Sequence, residues 1–406
     1  MSEILFIAHR IPFPPDRGDK IRSHNVLKHL ADLAPVHVAT FADDALDYAE
    51  EGALAAVAAS HCLVHRSKPL ALAAAEAMVT GKPISLTAFH SRALADYIRT
   101  TLKTRPISTI YGFSGQMGQY VPQDFQGRVI ADFVDVDSAK FEAYAKRDGG
   151  LKGWAENREA RLLRAEEARF AGRADVSLLI SDEEAALFRL RSGGAARVCT
   201  LPNGIDNQAF DPGEVRPEPQ LAELPYPRLI FTGQMDYAPN VDACVRAVTR
   251  ILPRIREAFP QASFHIVGRN PAERLSALAS QGVHVWGRVP EVQPWLAASD
   301  LALVPLEIGR GVQNKVLEAM AMALPVVLTP EAATGIGARD GAQLSIASDD
   351  DALAAACIAL LQDLPHARSM GRAAREYVVG HASWSAALAD LTQLAGYAPM
   401  AARDVA

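Results

Sequence analysis

The sequence predicts an α/β protein built from two doubly wound, Rossmann-like domains, and three observations predict it. The chain opens on an apolar strand, a loop and an amphipathic helix. A proline- and acid-rich stretch, DPGEVRPEPQLAELPYP (211–227), interrupts it half-way. After that stretch the alternation of strand and helix begins again. A chain of 406 residues is also too long for one core of ordinary size.

Each element follows from its pattern. ILFIAH (4–9) is a short apolar run of strand length. RIPFPPDRGD (10–19) is a loop, and from Lys20 the apolar positions Ile21, Leu27, Leu30 and Ala34 recur at helical spacing. VHVATF (36–41), ISTIYGF (107–113), RVIADFV (128–134) and VSLLIS (176–181) read as further strands, and 151–175 reads as one long charged helix. In the second half RLIFTG (228–233), ASFHIVG (262–268), VHVWG (283–287), LALVPL (301–306) and PVVLT (325–329) are strands, with a helix over 240–259. Near-continuous apolar strands separated by helices imply parallel sheets covered on both faces. The expected partition is 1–210, a linker at 211–227, 228–382, and a last segment 383–406.

Composition excludes several classes. The chain is 49% apolar and 22% charged, with net charge −6, so it carries no nucleic-acid footprint. The first 200 residues hold 25 basic and 25 acidic side chains, leaving 16 and 22 for the rest, so the acidity lies in the second half. Cys62, Cys199, Cys244 and Cys357 form no CxxC pair and read as free thiols of a reducing compartment. The first apolar run is too short for a signal-peptide core, and no run approaches the roughly 18 apolar residues of a membrane span. The expectation is a cytoplasmic protein. The histidines show no HExxH-type metal spacing.

GRGVQNKVLEAMAMALPVV (309–327) carries the chemistry. A loop with Gly309 and Gly311 follows a strand and enters a helix bearing Lys315 and Glu318. Ligands of open α/β sheets bind at the carboxyl ends of strands. A helix N-terminus offers unpaired N–H groups and a positive dipole end to a diphosphate. Residues three apart share a helix face, so Lys315 and Glu318 form a cation–carboxylate pair suited to phosphate and ribose hydroxyls. Leu317, Met320, Ala321 and Leu324 are core. The plain alternative is a surface Lys–Glu pair on an ordinary helix.

EAMAMALPVV resembles the donor-site signature of the retaining GT-B glycosyltransferases of family 4, and LPNGID (201–206), VGRNP (267–271) and WGRVPEVQPWLAASDLALVP (286–305) resemble other parts of that family. PPDRGDKIRSHN, DFVDVDSAKF, FTGQMDYAPNVDA and RGVQNKVLEAMAMALPVV together resemble the sugar transferases found with exosortase and exopolysaccharide systems. The resemblance implies a GT-B fold, with two Rossmann-like domains facing a cleft and the last segment crossing back to the first domain. It implies a nucleotide-diphosphate sugar donor, a glycan or lipid-linked acceptor, no cofactor and no metal. On the donor side Glu318 would hold ribose hydroxyls. Backbone N–H groups of Val312, Gln313 and Asn314 would meet the diphosphate with Lys315. Arg269, Val289 and Pro290 would border the base, and Gly233 ends the first strand of the second domain. The family's first glutamate of this stretch falls on Arg310, and its diphosphate-clamping Arg and Lys are absent around Gln234. Lys315 and Arg310 are the cations available in their place.

In the implied GT-B fold the loop at Gly18 and Asp19 would face the cleft near the donor phosphates and the acceptor, and these two donor-binding residues would present N–H groups there, with Arg17 and Lys20 adding charge. The alternative is a plain helix start with Asp19 as N-cap. In ADFVDVDS (131–138) no histidine stands where many family members have one, and Asp135 sits there instead. A carboxylate there would orient an acceptor hydroxyl or stabilise positive charge on the sugar. The same DVD could be read as the metal-binding DxD of a metal-dependent GT-A transferase, but a lone DxD explains neither the second Rossmann-like half nor the loop at 309–318. Asn203-Gly204 is a turn by its chemistry, and Ser181 with Glu183 fits either a site position or a helix cap. The helix from 151 with Trp154 and several arginines is a candidate for peripheral contact with the inner face of an anionic membrane.

Three functions follow in order. The first is a retaining glycosyltransferase, with Asp135, Lys315 and Glu318 as its chemical residues. The second is a nucleotide-sugar-binding protein without turnover, because the first glutamate and the histidine are missing. A Rossmann oxidoreductase comes last, since no GxGxxG follows any strand.

Overall fold

The computed structural model describes residues 2–15, 17–148, 150–193, 197–309 and 312–397. The chain divides into two compact units, residues 1–203 with 388–406, and residues 204–387.

The N-terminal unit holds seven strands: β1 (Glu3–Ala8), β2 (Val36–Ala42), β3 (Ser60–His65), β4 (Ile107–Phe113), β5 (Arg128–Val134), β6 (Val176–Leu179) and β7 (Val198–Thr200). All pair in parallel, in the order β3-β2-β1-β4-β5-β6-β7. Strand order reverses between β1 and β4. Every residue of β2 is buried, as expected of strands covered on both faces. The C-terminal unit holds β8 (Arg228–Thr232), β9 (Ser263–Val267), β10 (Val283–Gly287), β11 (Leu301–Val304), β12 (Val326–Leu328) and β13 (Ser345–Ile346). Their parallel order is β10-β9-β8-β11-β12-β13. Here the order reverses between β8 and β11, which makes the carboxyl ends of these two strands the place where a crevice opens.

Several expectations shift. Residues 211–227 belong to the C-terminal unit and are packed on it: Leu221 is fully buried in its core, Glu218 N–H donates to Pro294 O (2.8 Å), and Arg375 pairs with Asp211 (2.8 Å). Proline and acid are frequent there, yet Leu221 in the core, with Val215 and Leu224 packed against it, anchors the segment. The boundaries fall at 203 and 388 rather than 210 and 383. Ser383 bridges Ile205, and the backbone of Trp384 comes so close to Gly204 that a Cβ on that glycine would lie 2.4 Å from it. Asn203-Gly204 is therefore not a turn. Its glycine makes room for a neighbouring backbone, and Asn203 Oδ1 accepts from Arg22 (3.1 Å).

The helix expected over 240–259 is three pieces: Ala238–Arg246, a π-turn at Ala247–Ile251, and Leu252–Ala258. Pro253 explains the break, because it has no N–H for the helical ladder and its ring crowds the preceding turn. The long helix spans Gly150–Ala171 rather than reaching 175. It buries Glu159 and Glu167 along with Ala160, Leu163 and Phe170. Glu159 accepts the N–H groups of Ile84 (2.7 Å) and Ser85 (2.8 Å), so this acid caps a neighbouring helix.

Candidate functional site

The site is built where the C-terminal sheet reverses. Past β8 the chain turns at Gly233. Past β9 it turns at Gly268, where a Cβ would lie 1.7 Å from Gly233 O, so these two loops touch backbone to backbone. They are laced to β10 as well. Gly233 N–H donates to Val267 O (3.1 Å), Met235 N–H to Arg269 O (2.9 Å), and Gly268 N–H to Gly287 O (2.9 Å). From the other side of the switch point, after β11, comes the helix Asn314–Ala321, with Gln313 as its N-cap in extended conformation. Its first-turn amides at Asn314 and Lys315 have no acceptor within the helix.

Lys315 leans toward the β8 loop. Its Nζ donates to Asn240 Oδ1 (2.7 Å) and lies 4.9 Å from the centre of the Phe231 ring. A Cβ on Gly233 would lie 3.2 Å from Lys315 Cε and 3.0 Å from Asn240 Nδ2. Burial pulls the Lys315 amine down to about 8, and the neighbouring Cys244 and Glu318 offset this only in part. Glu318, one turn on, is half-buried, and among the described residues no side chain donates to its carboxylate. Burial pushes its carboxyl up to about 7, against the pull of Lys315. Lys315 and Glu318 are thus a half-buried cation and carboxylate on one face of the helix, their charges both opposed by burial.

The other donor-side residues are placed as follows. Arg269 is exposed and donates to Gln234 Oε1 (3.3 Å). Val289 packs against the core from a half-buried position, and Pro290 is exposed. Val312 is 36% exposed and fits against Gly335, where a Cβ would meet its Cγ2 at 2.9 Å. Gly309 differs from expectation: a Cβ there would lie 1.9 Å from Glu331 O, so it admits the loop after β12 rather than a ligand. Arg310 and Gly311 lie outside the described residues.

The expectations for the N-terminal unit change more. A Cβ on Gly18 would meet nothing within 4 Å, so no close approach demands that glycine. Asp19 is not the N-cap. Arg17 occupies that position without a side-chain bond, and the Asp19 carboxylate turns to Arg10 (2.7 Å) and His9 (3.2 Å). Burial opposes its ionisation, but the hydrogen bonds from His9 and Arg10 hold it well below the usual carboxylate range. Lys20 pairs with the buried Asp47 (2.5 Å) and donates to Phe13 O, which takes it out of the loop's charge. Arg10, Arg17 and Arg66 all approach Asp43, at 2.6, 3.5 and 2.7 Å.

The DVD stretch is divided. Asp132 is fully buried and takes two bonds from Arg22 (3.0 and 3.1 Å) and one from Tyr111 Oη (2.6 Å). Asp135 and Asp137 instead share Lys140 (2.7 and 3.2 Å). The three carboxylates therefore do not converge. Val134 between them has φ 67°, a left-handed conformation rare for a β-branched residue, at the carboxyl end of β5. Among the described residues no group of three metal-ligating side chains is assembled. Ser181 caps its helix by accepting from Glu184 N–H (3.3 Å), and Glu184, not Glu183, reaches Val136 N–H (2.7 Å).

Sequence reasoning missed His9, Arg22 and Asn240. His9 stands directly after β1, next to the reversal in strand order. Its ring stacks on Phe113 (5.7 Å), and its Nδ1 is buried without a partner. The position, first residue past the first strand of a Rossmann-like unit, was the available signal. Asn240 and Arg22 gave none, because their partners are 75 and 110 residues away in sequence.

This architecture, two parallel α/β sheets of Rossmann type, is the GT-B fold. Residues 226–363 match the family model described as glycosyl transferases group 1. The chain is 26% identical over 334 residues, 76% of its length and 75% of the relative's, to D-inositol 3-phosphate glycosyltransferase 2 of Catenulispora acidiphila. Among solved structures it resembles Anabaena HepE in complex with UDP and glucose (13% identity, TM-score 0.61, covering 97% of this chain and 99% of that one). It also resembles the sucrose-phosphate synthase of Thermosynechococcus elongatus (17% identity, TM-score 0.61, 97% and 98%).

Proposed function

We propose that this protein is a retaining glycosyltransferase that moves a sugar from a nucleotide-diphosphate donor to a glycan or lipid-linked acceptor in exopolysaccharide synthesis. The observation that carries the reading is the approach of Lys315 to Gly233 and Asn240 at the switch point of the C-terminal sheet, with Glu318 one turn along the same helix, inside the stretch that matches glycosyl transferases group 1. The Anabaena relative in complex with UDP and glucose has the same fold and supports a uridine diphosphate donor.

In this reading Glu318 accepts ribose hydroxyls, and Lys315 with the first-turn amides of its helix faces the diphosphate. Arg269, Val289 and Pro290 border the base. Asp135, at the end of β5, orients the acceptor hydroxyl once Lys140 yields it. A helix dipole and a lysine neutralise the leaving diphosphate, so transfer needs no metal ion. Retention follows the resemblance to family 4.

The exopolysaccharide setting rests on the same resemblance and on a surface of the N-terminal unit. No described helix is long and apolar enough to cross a membrane. The helix Gly150–Ala171, however, exposes Leu151 (89%) and Trp154 (56%). Arg158 of that helix donates to Ala77 O and Lys82 O, next to the exposed Met78 and Val79 of helix Leu70–Thr80. Exposed apolar side chains of this kind suit peripheral contact with a bilayer at the cytoplasmic face.

A thermal-shift panel in EDTA with UDP, GDP, ADP, CMP and NAD tests the donor reading. A ligand at about 100 times its Kd adds about 2.7 kcal/mol. One nucleoside diphosphate should raise the melting temperature without metal. A rise that needs Mn²⁺ would refute metal independence, and no rise with any of them would sink the donor site. Binding without turnover on any acceptor would favour a nucleotide-sugar-binding protein.

A further inference from the structure

The Lys315 amine is held by a neutral partner in a place where a carboxylate would also fit. Asn240 is 95% buried in the first turns of the helix that follows the β8 loop. Its side chain works in two directions. Oδ1 accepts from Lys315 Nζ (2.7 Å), and Nδ2 donates to Gln234 O (2.9 Å). One carboxamide therefore ties the cation on one side of the switch point to the loop backbone on the other. Gly233, the residue before Gln234, is closely packed on both partners.

The chemistry of the carboxamide matters. An aspartate here would also accept from the amine, but its charge would cancel the ammonium's, and it has no N–H for Gln234 O. The asparagine oxygen orients the ammonium without adding a counter-charge of its own in a partly desolvated place. The amine also lies over the Phe231 ring, which carries no net charge. The carboxylate that acts on it is Glu318, one turn along the helix, which offsets the cost of burial only in part. A desolvated cation without a full counter-charge is costly unless an anion arrives.

We propose that Asn240 is a positioning residue: its carboxamide fixes the Lys315 ammonium at the switch point without cancelling its charge, reserving that charge for the diphosphate of the nucleotide donor. This rests on the donor-site reading above and adds the residue that sets the cation. Asn240 does not touch the ligand; it acts through Lys315 and through the Gln234 carbonyl.

The test compares wild type with Asn240→Asp by calorimetric titration of UDP and GDP in EDTA, with uridine and guanosine as uncharged controls. Asn240→Asp should weaken the bound nucleoside diphosphate about 10- to 100-fold, the range for losing one charge-assisted contact. It should leave affinity for the matching nucleoside unchanged. NMR of ¹³Cε-labelled lysine gives a second readout, in which the Lys315 titration should move upward in the Asp variant. Equal diphosphate affinity in wild type and Asn240→Asp overturns the proposal. Should diphosphate and nucleoside weaken together, the loop has collapsed and Lys315→Met decides. That variant keeps the apolar stem, and undiminished diphosphate affinity in it overturns the proposal too. If wild type binds no nucleoside diphosphate, the donor reading itself fails and takes this inference with it.

Discussion

Replacing Glu318 by glutamine removes a titration and little else. In the folded chain burial lifts this carboxyl from 4.5 to about 7. Below pH 4.5 it is protonated in both folded and unfolded states. Between 4.5 and about 7 the unfolded chain gives up the proton first, so the stability that Glu318 contributes falls as pH rises through that window. A shift of this size corresponds to about 3 kcal/mol at most. Glu318 is half-buried, and solvent screening brings the expected value nearer 1–2 kcal/mol. Glutamine is neutral throughout. The advantage of Glu318→Gln over wild type should therefore grow by about 1–2 kcal/mol between pH 5 and pH 8. Urea unfolding followed by tryptophan fluorescence measures it, because Trp286, Trp295 and Trp384 all lie in the C-terminal unit. The same difference at both pH values would refute the reasoning. Ligand binding gives the companion result. An ionised carboxylate is the stronger acceptor for ribose hydroxyls, so wild-type affinity for the nucleoside diphosphate should fall as pH drops below 7. Glu318→Gln should bind more weakly and without that slope.

Arg22→Met strands the buried Asp132 with Tyr111 as its remaining side-chain donor and should cost about 3–5 kcal/mol, with partial recovery when Asp132→Asn is added; calorimetric melting checks both, and an unchanged melting temperature would refute the ion-pair account. Gly268→Ala places a methyl against Gly233 O and should separate the loops after β8 and β9, lowering nucleotide affinity more than stability; a fully active, tightly binding variant would show that those loops do not shape the site. Trp154→Glu should reduce sedimentation with phosphatidylserine vesicles while leaving nucleotide binding intact, and equal sedimentation would remove that helix as the contact.

Much of this molecule was legible from local pattern. Apolar runs of strand length located β1, β2, β4, β5, β6 and β8 through β12 to within a residue or two, because burial on both faces of a parallel sheet writes itself into each strand separately. The strands β3 and β13 were not legible. SHCLVH at β3 is half-buried and mixed in polarity, and two residues at β13 carry no period. Lys315 and Glu318 could be chosen from sequence because their relation is helical and lies within one turn.

What the sequence by itself determined is the class of fold, the second start of strand–helix alternation after residue 227, and the charged helix entrance at 315 and 318. Only the tertiary structure decided what those charges face. Periodicity reports whether a residue is buried, not against what, so it could not show that Asp132 belongs to Arg22, that Asp19 belongs to Arg10 and His9, or that Gly309 makes room for Glu331. Strand order is likewise a property of long-range pairing. It is the reversal between β8 and β11 that brings Asn240 to Lys315 across 75 residues and sets two separate segments side by side.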